Sequence, residues 1–243
     1  MRFFKRGKTA VSPPDAPQLP VTIKAAAGTA GITFSGPVIN SHRQLLDRLR
    51  RRSPLPAVLG LTATLREEGV TYSALALGAT WAADTDAAIC VVELNWYWPG
   101  LQNLVKETAS PGVAGVLNQE ATLEEALIAT NLPNLHLLPA GEMPLARRPG
   151  AARGKPLPQT ITMLKERFDC LLLDIPAILA VSDAVPLAAL SDTVCLVIKQ
   201  GVTTIESSKR ALDEIAHLPI AGVILNQVAI KTPQLLLRYI PQE

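Results

Sequence analysis

Aromatic side chains are scarce in this chain, ten among 243 residues. Aliphatic and alanine packing must therefore fill its core. Cysteine is scarcer still. Cys90, Cys170 and Cys195 each sit in an apolar run (AAICVV, DCLLLD, TVCLVI). Their number and spacing fit neither a zinc pattern nor a simple disulfide framework. Buried reduced thiols are expected, which suggests a cytoplasmic protein. Excess charge of one sign is missing too: the formal net charge is +2. That argues against the strongly basic surface of a nucleic-acid binder, and no nucleic-acid partner is expected. No apolar run approaches the ~18 residues of a membrane span. The basic start, MRFFKRGKTAVSPPD, has no hydrophobic stretch behind it and does not read as a secretory signal. Lys5, Arg6 and Lys8 beside Phe3 and Phe4 could touch an anionic membrane surface at its inner face. A solvated tail is the simpler reading, because stable anchoring generally needs more than one weak signal.

What is present is hydrophobic content of 48%, enough for a large core without disulfides. Residues 1–38 are rich in Pro, Ala and Gly and read as a flexible tail with one extended piece around VTIKAA. Residues 39–231 read as one domain and residues 232–243 as a short C-terminal tail. The domain opens on a helix, INSHRQLLDRLRRR, with Leu45, Leu46 and Leu49 on one face. Strands are then expected at 57–63, 87–94, 135–140, 170–174, 193–199 and 220–228. Helices are expected at 71–83, 112–117, 122–129, 159–168, 183–190 and 204–217, with a Pro/Gly/Arg loop over 142–158. Continuous apolar strands alternating with helices indicate a mostly parallel sheet covered on both faces, an α/β fold of three layers.

The stretch GLTATLREEGVTYS (60–73) follows the first of these strands. A phosphate-binding loop in that place closes on G-K-[ST]: glycine for backbone approach, lysine for the β/γ-phosphates, hydroxyl for Mg²⁺. Here the close is Gly69-Val70-Thr71. Downstream, Asp174 ends the apolar run CLLLD, at the carboxyl end of a strand, where open α/β sheets bind ligands. A carboxylate there can hold Mg²⁺ directly or through water, or simply fix a loop. Trp96, Tyr97 and Trp98 are consecutive, so at least one of them should be exposed. They are candidate interface anchors, or a loop folded back over the site.

Three stretches carry a resemblance to a known family: GVAGVLNQEATLEEALIATNLPNLHLLPAGEMP (112–144), LKERFDCLLLDIPAILAVSDAVPLAALSDTVCLVIKQGVTT (164–204) and GVILNQV (222–228). In order and spacing the chain resembles the cytoplasmic domain of bacterial tyrosine kinases of capsule and exopolysaccharide synthesis. These share a deviant P-loop with the partitioning and cell-division positioning ATPases. The resemblance implies a P-loop NTPase-like α/β/α sandwich with ATP and Mg²⁺ as cofactors. It gives Gly69, Glu68 and Thr71 to the phosphate loop, and Thr71 and Asp174 to the metal. Asn226 goes to the adenine edge, with a strand-end asparagine bonding a turn as the equal alternative. Asp183 falls in the next motif or is a helix cap.

The departures from the family pattern are as informative. Val70 stands where the family has lysine, and Glu67 where it has glycine. Two neighbouring carboxylates, Glu67 and Glu68, are thus expected to face the phosphate position. Glu93 and Asn95 stand for two aspartates, with Glu93 the weaker candidate for a catalytic carboxylate. Of the E-x-x-R-x-x-R subunit-contact pattern only Arg43 remains. Tyr239 stands alone where the family has a tyrosine cluster. The expectation is a degenerate, catalytically impaired relative that regulates or scaffolds polysaccharide synthesis or export. Its expected partners are a membrane co-polymerase or adaptor, or a related kinase subunit, in a homo- or hetero-oligomer. Nucleotide binding and none are weighed equally. The alternatives are an active ATP-dependent tyrosine kinase and a partitioning-type positioning ATPase.

Overall fold

The computed structural model describes residues 19–26, 31–52, 54–105 and 110–227. Residues 1–18 and the expected C-terminal tail, with Tyr239, lie outside them. The span expected to be a tail ends in ordered structure. Strands β1 (Val21–Lys24) and β2 (Gly31–Phe34) pair antiparallel, and Ile23 and Phe34 are fully buried. Helix α1 (Gly36–Arg52) starts three residues ahead of expectation. Leu46 and Leu49 of its apolar face are buried.

A seven-stranded sheet forms the centre. Its strands are β3 (Val58–Ala63), β4 (Ile89–Glu93), β5 (Ile128–Ala129), β6 (Leu135–Leu138), β7 (Cys170–Asp174), β8 (Thr193–Lys199) and β9 (Ile220–Asn226). The order is β5-β6-β4-β7-β3-β8-β9, parallel throughout except for β5 against β6. β3, β4 and β7 are buried along their whole length, as expected for strands covered on both faces. Helix α2 (Val70–Asp84) is buried on nearly all sides, with alanine and glycine allowing close approach. Gly78 lies against Val91 and Leu172; a Cβ there would come within 3.1 Å of Val91 Cγ2.

The remaining helices are α3 (Leu101–Val105), α4 (Gly112–Leu117), α5 (Leu123–Ala126), α6 (Arg148–Arg153), α7 (Pro156–Lys165), α8 (Ala184–Ala188) and α9 (Ile205–Glu214). The helix expected over 122–129 stops at Ala126, and Ile128–Ala129 becomes strand β5. The 142–158 loop contains α6. The three cysteines are free and buried, and burial pushes the Cys170 thiol up to about 12. No helix among the described residues is long and apolar enough to cross a membrane.

Candidate functional site

The carboxyl ends of β3, β4 and β7 lie side by side. Asp174 is in register with Leu61 on one flank and with Glu93 on the other. The loop between β3 and α2 therefore sits directly above two buried carboxylates. Glu67 and Gly69 in this loop have φ of 64° and 92°. Glycine adopts that conformation freely, whereas an L side chain is strained by ~1 kcal/mol. The loop thus has a glycine-type turn at a position that carries glutamate. Glu67→Gly is expected to raise stability in urea unfolding by up to ~1 kcal/mol. A clear loss of stability would refute the strain.

Only one of the two neighbouring carboxylates turns inward, against expectation. Glu67 is exposed, while Glu68 is buried. One Glu68 oxygen accepts the N–H groups of Thr64 (2.9 Å) and Leu65 (3.1 Å). The other accepts the Thr203 hydroxyl. The backbone carbonyl of Glu68 accepts Asn226 Nδ2 at 2.8 Å. Glu68 is therefore a staple that fixes its own loop. Asn226 also accepts the Gln227 N–H on Oδ1 at 2.8 Å, so its amide is engaged at both ends. Gly69 lies beneath it: a Cβ there would fall 2.2 Å from Asn226 Nδ2.

Val70 opens α2 and packs, partly buried, on the core cluster below. Gly69 caps the helix without a side-chain bond. The first N–H groups of α2 have no intrahelical acceptor, and the positive end of the helix dipole faces the site. Asp174 is fully buried, and neither of its oxygens has a hydrogen-bond partner. The Thr71 hydroxyl eases its charge without making a bond of ordinary geometry. Burial, and then the charge of Glu93, push Asp174 up to about 8.

Glu93 is as deeply buried but fully partnered. One oxygen accepts the N–H groups of Gly100 (2.6 Å) and Leu101 (2.9 Å), the other that of Ala140 (3.0 Å). Burial raises its pKa, and these three bonds oppose the rise. With three donors on Glu93 and none on Asp174, the negative charge belongs on Glu93 and the proton on Asp174.

The aromatic triplet divides. Trp96 is buried and donates Nε1–H to the Ala140 carbonyl at 3.1 Å, so it cannot serve as the surface anchor expected of it. The Tyr97 hydroxyl donates to Asp183, whose other oxygen pairs with Arg153. Burial, and then Asp183, push the phenol up to about 12. Asp183 stands at the N-cap of α8 but makes no capping bond there; its carboxylate serves Tyr97 and Arg153 instead. Trp98 is the most exposed of the three and lies under the Arg66 guanidinium at 3.8 Å. Asn95 closes the turn through two bonds with Trp98. Gly100 then passes beside Thr71: a Cβ there would be 3.7 Å from its Oγ1. The triplet is thus part of a loop laid against the loop between β3 and α2. Arg43, expected at a subunit contact, makes a two-bond ion pair with Asp84 at the end of α2.

Tested against ATP and Mg²⁺, the site fits in part. Thr71 and the orphaned Asp174 oxygens suit a hydrated Mg²⁺. Among the described residues, no group of three or more His, Cys, Asp and Glu could hold a metal ion by itself. The polyphosphate does not fit. An isopropyl group replaces its cation, Arg66 is stacked on Trp98, and a carboxylate occupies two loop N–H groups.

No protein-family model matches the chain. It is 22% identical over 152 residues to the tyrosine-protein kinase ptk of Acinetobacter johnsonii, covering 62% of this chain and 21% of that protein. It is 23% identical over 173 residues to the tyrosine-protein kinase wzc of Salmonella typhimurium, covering 70% and 24%. The chain therefore spans less than a quarter of the length of these curated relatives. Among solved structures, the kinase domain of Escherichia coli tyrosine kinase ETK superposes with a TM-score of 0.75 at 20% identity, covering 80% of this chain and 77% of that one. The VpsO kinase domain gives 0.71 at 23% identity, covering 79% and 97%. MinD from Pyrococcus horikoshii with Mg-ADP gives 0.56 at 20% identity, covering 75% and 76%. The curated matches and the shared, mostly parallel α/β fold show what this chain is similar to: the bacterial tyrosine-protein kinases.

Proposed function

We propose that this chain is a degenerate tyrosine-kinase-like domain that acts by binding, without efficient phosphoryl transfer. In this reading it is a regulatory or scaffolding subunit of bacterial capsule or exopolysaccharide synthesis or export. Its partner is a membrane co-polymerase or adaptor, or a related kinase subunit. The observation that carries the reading is Val70 packed on the core where the family has lysine. Phosphoryl transfer rests on positioning and charge neutralisation, and position 70 supplies no cation for the latter. Glu93 supports the same reading, because both its oxygens accept backbone N–H groups of its own fold.

Calorimetry with Mg-ATP tests it. The expected result is no binding at sub-millimolar nucleotide and no phosphate on a tyrosine substrate. Binding in that range together with transfer to tyrosine would overturn the proposal.

One observation favours the second reading, an active ATP-dependent tyrosine kinase. Asp174 has two buried oxygens without partners, close to the Thr71 hydroxyl. If that reading is right, Mg²⁺ with ATP raises the melting temperature of the wild type and leaves Thr71→Val and Asp174→Asn unmoved.

A further inference from the structure

A groove of about 680 Å³ opens between the α4–α5 segment and α7, a volume in the range of pockets that take ligands. None of the site residues described above lines it. Its floor is apolar, with Val116, Leu117 and Leu123 on one wall and Met163 of α7 on the other. Met163 is 49% exposed, and its unbranched thioether adapts to whatever covers it. The rim is acidic. Glu120, Glu124 and Glu125 stand there with a single cation, Arg167, which is already paired with Glu124. Glu125 is held in the capping box of α5. Glu120 is exposed and makes no ion pair among the described residues.

The complementary segment is in this chain. Residues 2–8, RFFKRGK, carry four cations, and no acid precedes Asp15. Phe3 and Phe4 are two of the four phenylalanines. Aromatic side chains set among cations suit an apolar floor with an acidic rim, because burial on the floor removes their surface from water and the cations meet opposite charge.

The reach is sufficient. Strand β1 is tied to the residues just after α5: Ala26 donates to the Ala129 carbonyl at 2.8 Å, and Lys24 donates to Asn131 Oδ1 at 2.7 Å. β5, between that tie and the groove, is the edge strand of the sheet. Ile23 of the hairpin packs with Ile89 and Val91 of β4, whereas Leu157 and Ile161 of α7 pack with Cys90 and Val92. Hairpin and groove thus lie on opposite faces, and the tail has to round the β5 edge. From Leu19 back to Lys8 the chain spans up to about 35 Å, while α7 is about 15 Å long.

We infer that residues 2–8 dock in the groove between α4–α5 and α7 of the same molecule. Phe3 and Phe4 lie on its apolar floor, and Arg2, Lys5, Arg6 and Lys8 face Glu120, Glu124 and Glu125. A tail docked there is not free to meet an anionic membrane, the other surface that its composition suits.

Photo-cross-linking of the full chain tests this, with benzoylphenylalanine in place of Phe4. The expected product is a cross-link within one chain to residues 116–125 or 156–167, at a yield independent of protein concentration. Glu120→Lys with Met163→Lys is expected to lower that yield about tenfold and to leave the urea midpoint, followed by circular dichroism, unchanged. Adding Lys5→Glu and Arg6→Glu to that variant is expected to restore most of the yield. Cross-links scattered over the surface, or found only between two chains, overturn the docking. So does a yield indifferent to the groove lysines. The wild type is expected to stay in solution when vesicles of phosphatidylglycerol are pelleted. Pelleting that is lost in Lys5→Glu with Arg6→Glu assigns the segment to the membrane and overturns the docking too.

Discussion

Replacing Asp174 by asparagine is expected to raise the stability of this protein at pH 7.5 by about 2–4 kcal/mol. Removing an acidic residue from a candidate active site rarely does that, and the reason here is linkage. Below pH 3.8 both the folded and the unfolded chain hold the Asp174 proton, and the group has no effect. Between 3.8 and about 8 the unfolded carboxylate ionises while the folded one stays protonated. Each pH unit in that window costs about 1.4 kcal/mol. The accumulated cost at pH 7.5 is about 5 kcal/mol, from which the unpaired amide of asparagine takes back about 1–3 kcal/mol. Above about 8 the cost is complete and constant. Urea titrations between pH 5 and 8 check this. The wild-type midpoint falls with rising pH, and the difference from Asp174→Asn widens across the window. An asparagine variant less stable than the wild type at pH 7.5 would remove the account.

Glu93→Ala is expected to do the reverse, lowering stability by about 3–5 kcal/mol. Three N–H groups, of Gly100, Leu101 and Ala140, lose their acceptor inside the protein. Relief of the repulsion on Asp174 returns part of this, so the loss is smallest above pH 8. Glu93→Gln keeps one accepting oxygen and is expected to lose about half as much. Trp96 supplies a local signal, since its indole bonds to the Ala140 carbonyl on the same peptide segment. Its fluorescence should shift to the red in Glu93→Ala before global unfolding. A Glu93→Ala protein that melts with the wild type would show that the clamp contributes nothing. Two carboxylates in register on adjacent strands thus have opposite effects on stability, because one is satisfied and the other is not.

The core was readable from the sequence because burial on both faces leaves a simple trace. CLLLD, AICVVE and TVCLVI are unbroken apolar runs, and each became a strand. The place of Asp174 was readable because an acid ends such a run at the carboxyl end of a strand. Of the hairpin only β1 was anticipated, as the extended piece around VTIKAA; its pairing with β2 was not, because both strands have four residues each and sit among prolines and glycines. Strand β5 was hidden because Leu123, Ala126 and Leu127 have helical spacing. Only the extended ψ of 134° at Leu127 ends the helix early. The division of the aromatic triplet and the inward turn of Glu68 depend on distant partners. Asp183 lies 86 residues beyond Tyr97, and Thr203 lies 135 beyond Glu68. Local pattern has no access to such pairs.

The N-terminal hairpin has a mechanical consequence. Phe34 at its inner end meets the Tyr72 ring edge-on at 5.1 Å between centroids, and Tyr72 is the neighbour of Thr71 in the first turn of α2. Tension on the chain ahead of Leu19 is carried first by β1 and β2. Part of it passes to the edge of the central sheet through the bonds of Lys24 and Ala26 with Asn131 and Ala129, and part arrives by way of Phe34 at the base of the loop between β3 and α2. Whatever pulls on that end has a lever one residue from the Thr71 hydroxyl beside Asp174.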